Sequence, residues 1–227
     1  MTPEPAPRPQ PGRTPPRVPP LSRTTVAEAA LRLLNETGLE KLTLRAIAAE
    51  LDVKAPALYW HFKNKQELID EMATEMYRRM ARDEPQQPAG WREMLLAANR
   101  GLRRALLSYR DGARVFSGSR FTGADHAEQQ EAHLRALLEA GFELPQAVRT
   151  LTTTFMYTLG FVTEEQGVHP VAGERREGYD VSERSERLAD YPAAAAAGSH
   201  LFEDYDAHFE EGLELILAGV AARYGIS

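Results

Sequence analysis

Along most of the chain, apolar residues recur at intervals of three and four, the spacing of one face of an α-helix. Nowhere do they alternate with the period of two that a half-buried strand needs. The first such run carries Val26, Ala29, Ala30, Leu33 and Leu34, with Ser22 as its cap and Gly38 as its end. Thr43 opens a second, shorter run with Leu44, Ile47, Ala48 and Leu51 inward. After the tight Asp52-Val53 connection comes a third short helix, with Pro56 in its first turn, where its missing N–H costs nothing. It carries Leu58, Tyr59, Trp60 and Phe62. Asn64, followed by Glu67, has the pattern of a capping box and opens a helix with Leu68, Ile69, Met72, Met76 and Met80 on one side.

A break over 83–90, marked by Pro85 and Pro88, separates this set from a second one. Helices are predicted over 91–109 (Leu95, Leu102, Leu106), 124–140, 145–165 (Val148, Leu151, Phe155, Met156, Leu159, Val162) and 201–223 (Phe202, Tyr205, Phe209, Leu213, Ile216, Val220). Residues 111–123 are Gly/Ser-rich around Val115 and Phe116. Residues 166–200 read as a mobile loop with a helical turn or two near 188–197. The predicted fold class is all-α, a small helical domain followed by a larger one.

Charge sharpens the picture. The 227 residues carry a net charge of −6, yet residues 1–65 are net +4 and the remainder net −10, and all four lysines lie at the positive end. That asymmetry suggests one region that meets a polyanion. Nine of the fifteen prolines lie in residues 1–20, interleaved with Arg8, Arg13 and Arg17, which predicts a disordered or polyproline-like tail. The absence of cysteine excludes disulfides, thiolate metal sites and a cysteine nucleophile. With no apolar run of membrane-spanning length and no signal-peptide core, the expectation is a cytoplasmic protein without a membrane role.

Residues 43–62, TLRAIAAELDVKAPALYWHF, have the form helix, tight turn, helix. A helix-turn-helix of this kind presents the start of its second helix to base edges in a major groove. Arg45 is placed to reach a base or a phosphate. Lys54, Tyr59, His61, Lys63 and Lys65 supply donors for phosphates, and Ala55, Pro56 and Ala57 offer small apolar surface suited to thymine methyl groups. The expected partner is double-stranded operator DNA.

The stretch 22–80, with LTLRAIAAEL and ALYWHFKNKQEL, resembles the DNA-binding domain of TetR-family repressors. RRALLSYRDGAR at 103–114, Gly118, Arg120, Gly141-Phe142, TLGFVTEEQ at 158–166 and FEEGLELIL at 209–217 further resemble the tetracycline repressor subclass. The resemblance implies a helix-turn-helix domain over 21–66, a connecting helix over 64–80, and a ligand-binding and dimerisation domain within 67–227. It also implies a homodimer built from the helices at 145–165 and 201–223, whose stripes could otherwise serve packing inside one subunit. The implied function is a repressor released from a palindromic operator by a small-molecule effector.

In the tetracycline repressors a histidine and, through water, a glutamate hold Mg²⁺ with the drug. Here the glutamate position is Glu164, but the histidine position is Phe116, which cannot ligate a metal. Ala81 and Ala98 stand where a histidine and an asparagine are expected, and His133 where a glutamine is. The expectation is a more apolar pocket with no required cofactor or metal, and a hydrophobic or aromatic ligand. Its predicted wall is Leu102, Phe116, Phe121, Leu134, Leu137, Phe155 and Met156, each of which also suits plain core, with Ser119, Arg120, His133 and Glu164 as polar groups. Other readings are a transcriptional activator, an architectural DNA-binding protein with no ligand, and an enzyme using His133 with Glu164. The chain has no GxSxG, P-loop, GxGxxG or HExxH motif to support catalysis.

Overall fold

The computed structural model describes residues 21–82 and 90–226. The Pro/Arg-rich tail at 1–20 and most of the 83–90 break lie outside the described residues. Among the described residues every regular element is helical.

Four helices build the amino-terminal unit. They are α1 (Arg23–Thr37), α2 (Leu44–Glu50), α3 (Ala55–Tyr59) and α4 (Lys65–Arg82). Side-chain caps start three of them. Ser22 accepts from the Thr25 N–H, Thr43 from Ala46 and Asn64 from Glu67. The Glu67 carboxylate reaches back to the Lys63 amide, one residue before the cap itself. Asp52 takes a left-handed conformation (φ 51°), tolerable for a short polar side chain, and turns the chain between α2 and α3. Val26, Ala30, Leu34, Ile47, Leu58, Phe62 and Met72 fill the space between these helices.

The second unit contains α5 (Trp91–Leu107), α6 (Gly112–Phe116), α7 (Asp125–Glu139), α8 (Leu144–Val168), α9 (Val181–Arg187), α10 (Pro192–Phe202) and α11 (Tyr205–Tyr224). The apolar piece at Val115 and Phe116 is thus a short helix. Gly112 is required at its start, because a Cβ there would sit 2.1 Å from the Leu106 carbonyl oxygen. The 166–200 segment is more ordered than its weak periodicity suggested. The α8 helix runs on to Val168, and α9 and α10 pack against each other, leaving a connection at 169–180. The last helix begins at Tyr205 rather than Leu201.

Two cores result. Phe209, Leu213 and Leu217 of α11 join Trp91, Leu95, Leu137 and Ala147 at the far end of the second unit. The other core is continuous across the joint between the units. Leu102, Leu106, Val115, Phe116 and Val162 belong to the same buried cluster as the side chains of α1 to α4.

The long α8 buries a different face from the one its apolar stripe predicts. Against α5 it places Ala147, Thr150, Thr154, Thr158 and Val162, while Val148, Phe155 and Met156 remain exposed. Hydroxyl bonding accommodates Thr154 and Thr158, whereas the Thr150 hydroxyl is buried without a partner. Thr158 donates to Asn99 Oδ1 at 2.7 Å, and Thr154 donates to the Thr150 carbonyl at 3.1 Å.

Candidate functional site

The α2–α3 unit presents Arg45, Lys54, Pro56, Tyr59 and Lys63 to solvent, with Ala55, Ala57 and His61 partly covered. Leu58 and Phe62 point inward and hold the short α3 against the core. The side chains of Arg45, Lys54 and Lys63 have no hydrogen bond or ion pair among the described residues. Lys65 differs, because its Nζ donates to the Leu39 carbonyl at 2.8 Å and ties α4 to the turn after α1. Arg23 fixes the other side of this surface. Its Nε meets Glu71 at 2.8 Å, a second nitrogen donates to the His61 carbonyl, and the guanidinium lies 4.4 Å from the Phe62 ring centroid. Sequence reasoning placed Trp60 with the apolar side of α3, yet it is 89% exposed beside the phosphate-donor candidates. Its position two residues after the inward Leu58 was the available signal.

A cavity of about 630 Å³ lies beneath this domain. The carboxyl-terminal half of α4 supplies Met76, Tyr77, Arg79 and Met80. The α5 wall includes Leu95, Ala98, Asn99, Gly101, Leu102 and Arg104, and α7 adds His126, Gln129, Gln130 and His133. Phe116, Phe121, Leu151 and Phe155 close the apolar side. The rings form a chain of contacts, with centroids 4.9 Å apart for Tyr77–Phe121, 5.5 Å for Phe116–Phe121 and 6.3 Å for Phe116–Phe155.

Of the residues predicted for the pocket wall, Leu102, Phe116, Phe121, His133 and Phe155 line this cavity. The others lie outside it. Leu134 and Leu137 pack in the far core, and Met156 is 64% exposed on the outer side of α8. Ser119 donates to the Val115 carbonyl, the Arg120 side chain is exposed, and Glu164 is exposed on α8. Ala81, too, is outside the wall, whereas Ala98 is part of it. Arg104, His126 and Gln129 were missed. Their spacing relative to Leu102 and His133 was the only available clue.

The strap at 117–124 connects cavity and α4. The backbone N–H of Arg120 donates to Asp70 Oδ1 at 3.2 Å, that of Thr122 to Thr74 Oγ1 at 3.0 Å, and the Thr122 hydroxyl to Glu71 Oε2 at 3.0 Å. Arg79, on the cavity side of α4, is bonded to Glu75 at 2.9 Å and to the Tyr109 hydroxyl at 3.2 Å. Burial opposes its charge, but these partners hold its pKa above the ordinary arginine value.

Comparison with known proteins decides the family. The model described as "Bacterial regulatory proteins, tetR family" matches residues 26–72, and "Tetracyclin repressor-like, C-terminal domain" matches residues 84–224. The chain belongs to the TetR family. It is 43% identical to the tetracycline repressor protein class A from transposon 1721 of Escherichia coli, across 89% of this chain and 92% of that protein. A crystal structure of a possible TetR family transcriptional regulator from Streptomyces coelicolor A3(2) is 37% identical and superposes with a TM-score of 0.78. That match covers 88% of this chain and 99% of the other. The Streptomyces coelicolor TetR family protein ActR, solved in complex with actinorhodin, is 25% identical with a TM-score of 0.76, covering 91% of this chain and 99% of that one.

As a TetR-family member the chain is a DNA-binding transcriptional regulator with a helix-turn-helix. No helix among its described residues is long and apolar enough to cross a membrane. The described wall of the cavity contains no carboxylate, and Phe116, where the resemblance expects the metal-binding histidine, cannot ligate a metal.

Proposed function

We propose that this TetR-family protein is a homodimeric repressor released from a palindromic operator by a hydrophobic or aromatic effector that needs no metal. One observation carries the reading, namely that α4 belongs to both sites. Its Leu68 and Met72 pack in the core under the recognition helix, and its Met76, Tyr77 and Met80 line the cavity. An effector that repositions α4 therefore moves the DNA-binding unit. A preference of about 1–3 kcal/mol for the DNA-incompetent state suffices for a 5- to 150-fold response.

We assign Arg45, Lys54, Tyr59, His61 and Lys63 to the DNA, with Ala55, Pro56 and Ala57 toward base edges. Lys65 acts from its tether to the α1 turn. We assign the units to residues 21–66 for DNA binding and 67–227 for effector binding and dimerisation. The dimer is supported by apolar and small residues left open on α8 and α11. Met156 and Leu215 are 64% and 68% exposed, and Gly160 and Gly219 have open space before them. We assign no catalysis. His133 lies on the cavity wall and Glu164 does not, so they do not face each other across a substrate space.

The test is a footprint of the purified protein on DNA flanking its own gene at a fixed salt concentration. Protection of two half-sites about one helical turn apart is expected. Binding without any symmetric footprint would overturn the dimeric repressor reading in favour of an architectural protein.

A further inference from the structure

We infer that the cavity takes a planar aromatic acid, held as an anion by Arg104 and without a metal; this rests on the reading of the cavity as the effector site. The charge of the wall favours an anion. In the chain, acidic residues outnumber Lys and Arg by 33 to 27, yet the described residues of the cavity wall include two arginines and no carboxylate. Arg79 is already spoken for by Glu75, Glu28 and Tyr109. The Arg104 side chain, exposed at the cavity, has no hydrogen bond or ion pair among the described residues. Its Nη2 lies 3.9 Å from where a Cβ on Gly101 would sit, so the guanidinium runs back along the α5 wall over a residue that also lines the cavity. A guanidinium presents a planar fork of donors that matches a carboxylate or a vinylogous acid.

The hydrogen-bonding groups of the wall favour a ligand that also donates. On α7, His126, Gln129, Gln130 and His133 give the cavity a polar edge at helical spacing. Of these, His126 Nδ1 and Gln129 Oε1 are buried and have no hydrogen-bond partner. Gln129 Oε1 accepts only, so it calls for a donor such as a phenolic hydroxyl on the ligand. The shape of the cavity favours a planar ring system. Tyr77, Phe116, Phe121 and Phe155 form an aromatic wall, and about 630 Å³ accommodates several fused rings. A cationic metal chelate would meet the unpaired Arg104 as a like charge.

The test uses the full chain with EDTA and two probes of one shape, anthraquinone-2-carboxylate and its neutral carboxamide, measured by equilibrium dialysis. The carboxylate is expected to bind about tenfold or more tightly than the amide. Arg104→Gln should erase that preference while leaving amide binding intact, and Arg104→Lys should restore most of it. Equal affinity for both probes, a preference untouched in Arg104→Gln, a requirement for Mg²⁺, or binding of neither probe would each overturn the inference. The footprint separates the two readings. Operator protection with neither probe bound refutes the ligand class alone, whereas absence of operator binding refutes the repressor reading and leaves the dialysis result to stand by itself.

Discussion

Lys63 lies exposed in the turn between α3 and α4, and its ammonium has no partner among the described residues. Arg45 and Lys54 share that state, which gives three unpaired cations among the DNA-contact candidates of each protomer and six in a dimer. If each neutralises one phosphate, the logarithm of the DNA-binding constant should fall against the logarithm of salt concentration with a slope of about −5. Between about 50 and 200 mM salt that is a loss of roughly a thousandfold. Lys63→Gln removes two of the six contacts and should bring the slope to about −3.5, weakening specific and non-specific duplexes alike. The change lies on the surface, so stability should move by no more than about 0.5 kcal/mol. Fluorescence anisotropy of a labelled duplex across a salt series measures the slope. Arg135→Gln, on the exposed side of α7 and paired with Glu131, is the control and should leave it unchanged. An unaltered slope in Lys63→Gln would refute the assignment of this turn to the DNA.

Three further outcomes are expected. Phe62→Ala removes a fully buried ring beneath Arg23 and should cost about 3–5 kcal/mol, lowering Tm in a thermal melt by about 6–20 °C; a fall of only a degree or two would contradict its place in the core. Met156→Lys combined with Leu215→Lys should give a folded monomer in sedimentation velocity, because both side chains already lie at the protomer surface, and a persistent dimer would put the interface elsewhere. Tyr157 donates to the Phe209 carbonyl at 3.0 Å, and burial raises its pKa above the usual value near 10. The folded state therefore holds that proton more tightly than the unfolded chain does. The resulting stability is present below pH 10 and is lost as pH rises through the folded value, so Tyr157→Phe should flatten the alkaline end of a stability–pH curve.

Local chemistry was the most legible part of the sequence. Ser22, Thr43 and Asn64 cap helices because their side-chain oxygens satisfy amides that the helix itself leaves free, and that need is visible from residue type and spacing. The helix-turn-helix followed for the same reason. The buried face of α8 was not legible. Thr154 and Thr158 enter the seam with α5 by bonding to the preceding turn and to Asn99, so a polar residue type occupies positions that an apolar period would skip. The alanine run of α10 likewise has no amphipathic period to read. In the cavity, the aromatic residues Phe116, Phe121 and Phe155 were found because ring size marks them. That Arg104 lines the cavity and Arg120 does not was hidden, since it depends on how α5 and the strap are placed around it.

The core that runs unbroken from α1 through α6 to Val162 limits how such regulators can be recombined. The recognition helices are not a detachable reading head. A chimaera that grafts residues 21–82 onto another family member's body would pair one half of a packed interior with a foreign other half, opening voids or clashes around Leu102, Leu106 and Phe116. Rewiring this protein to a new operator should instead keep the seam and exchange only the surface residues of α2 and α3, or transplant α6 and the strap together with the reading domain.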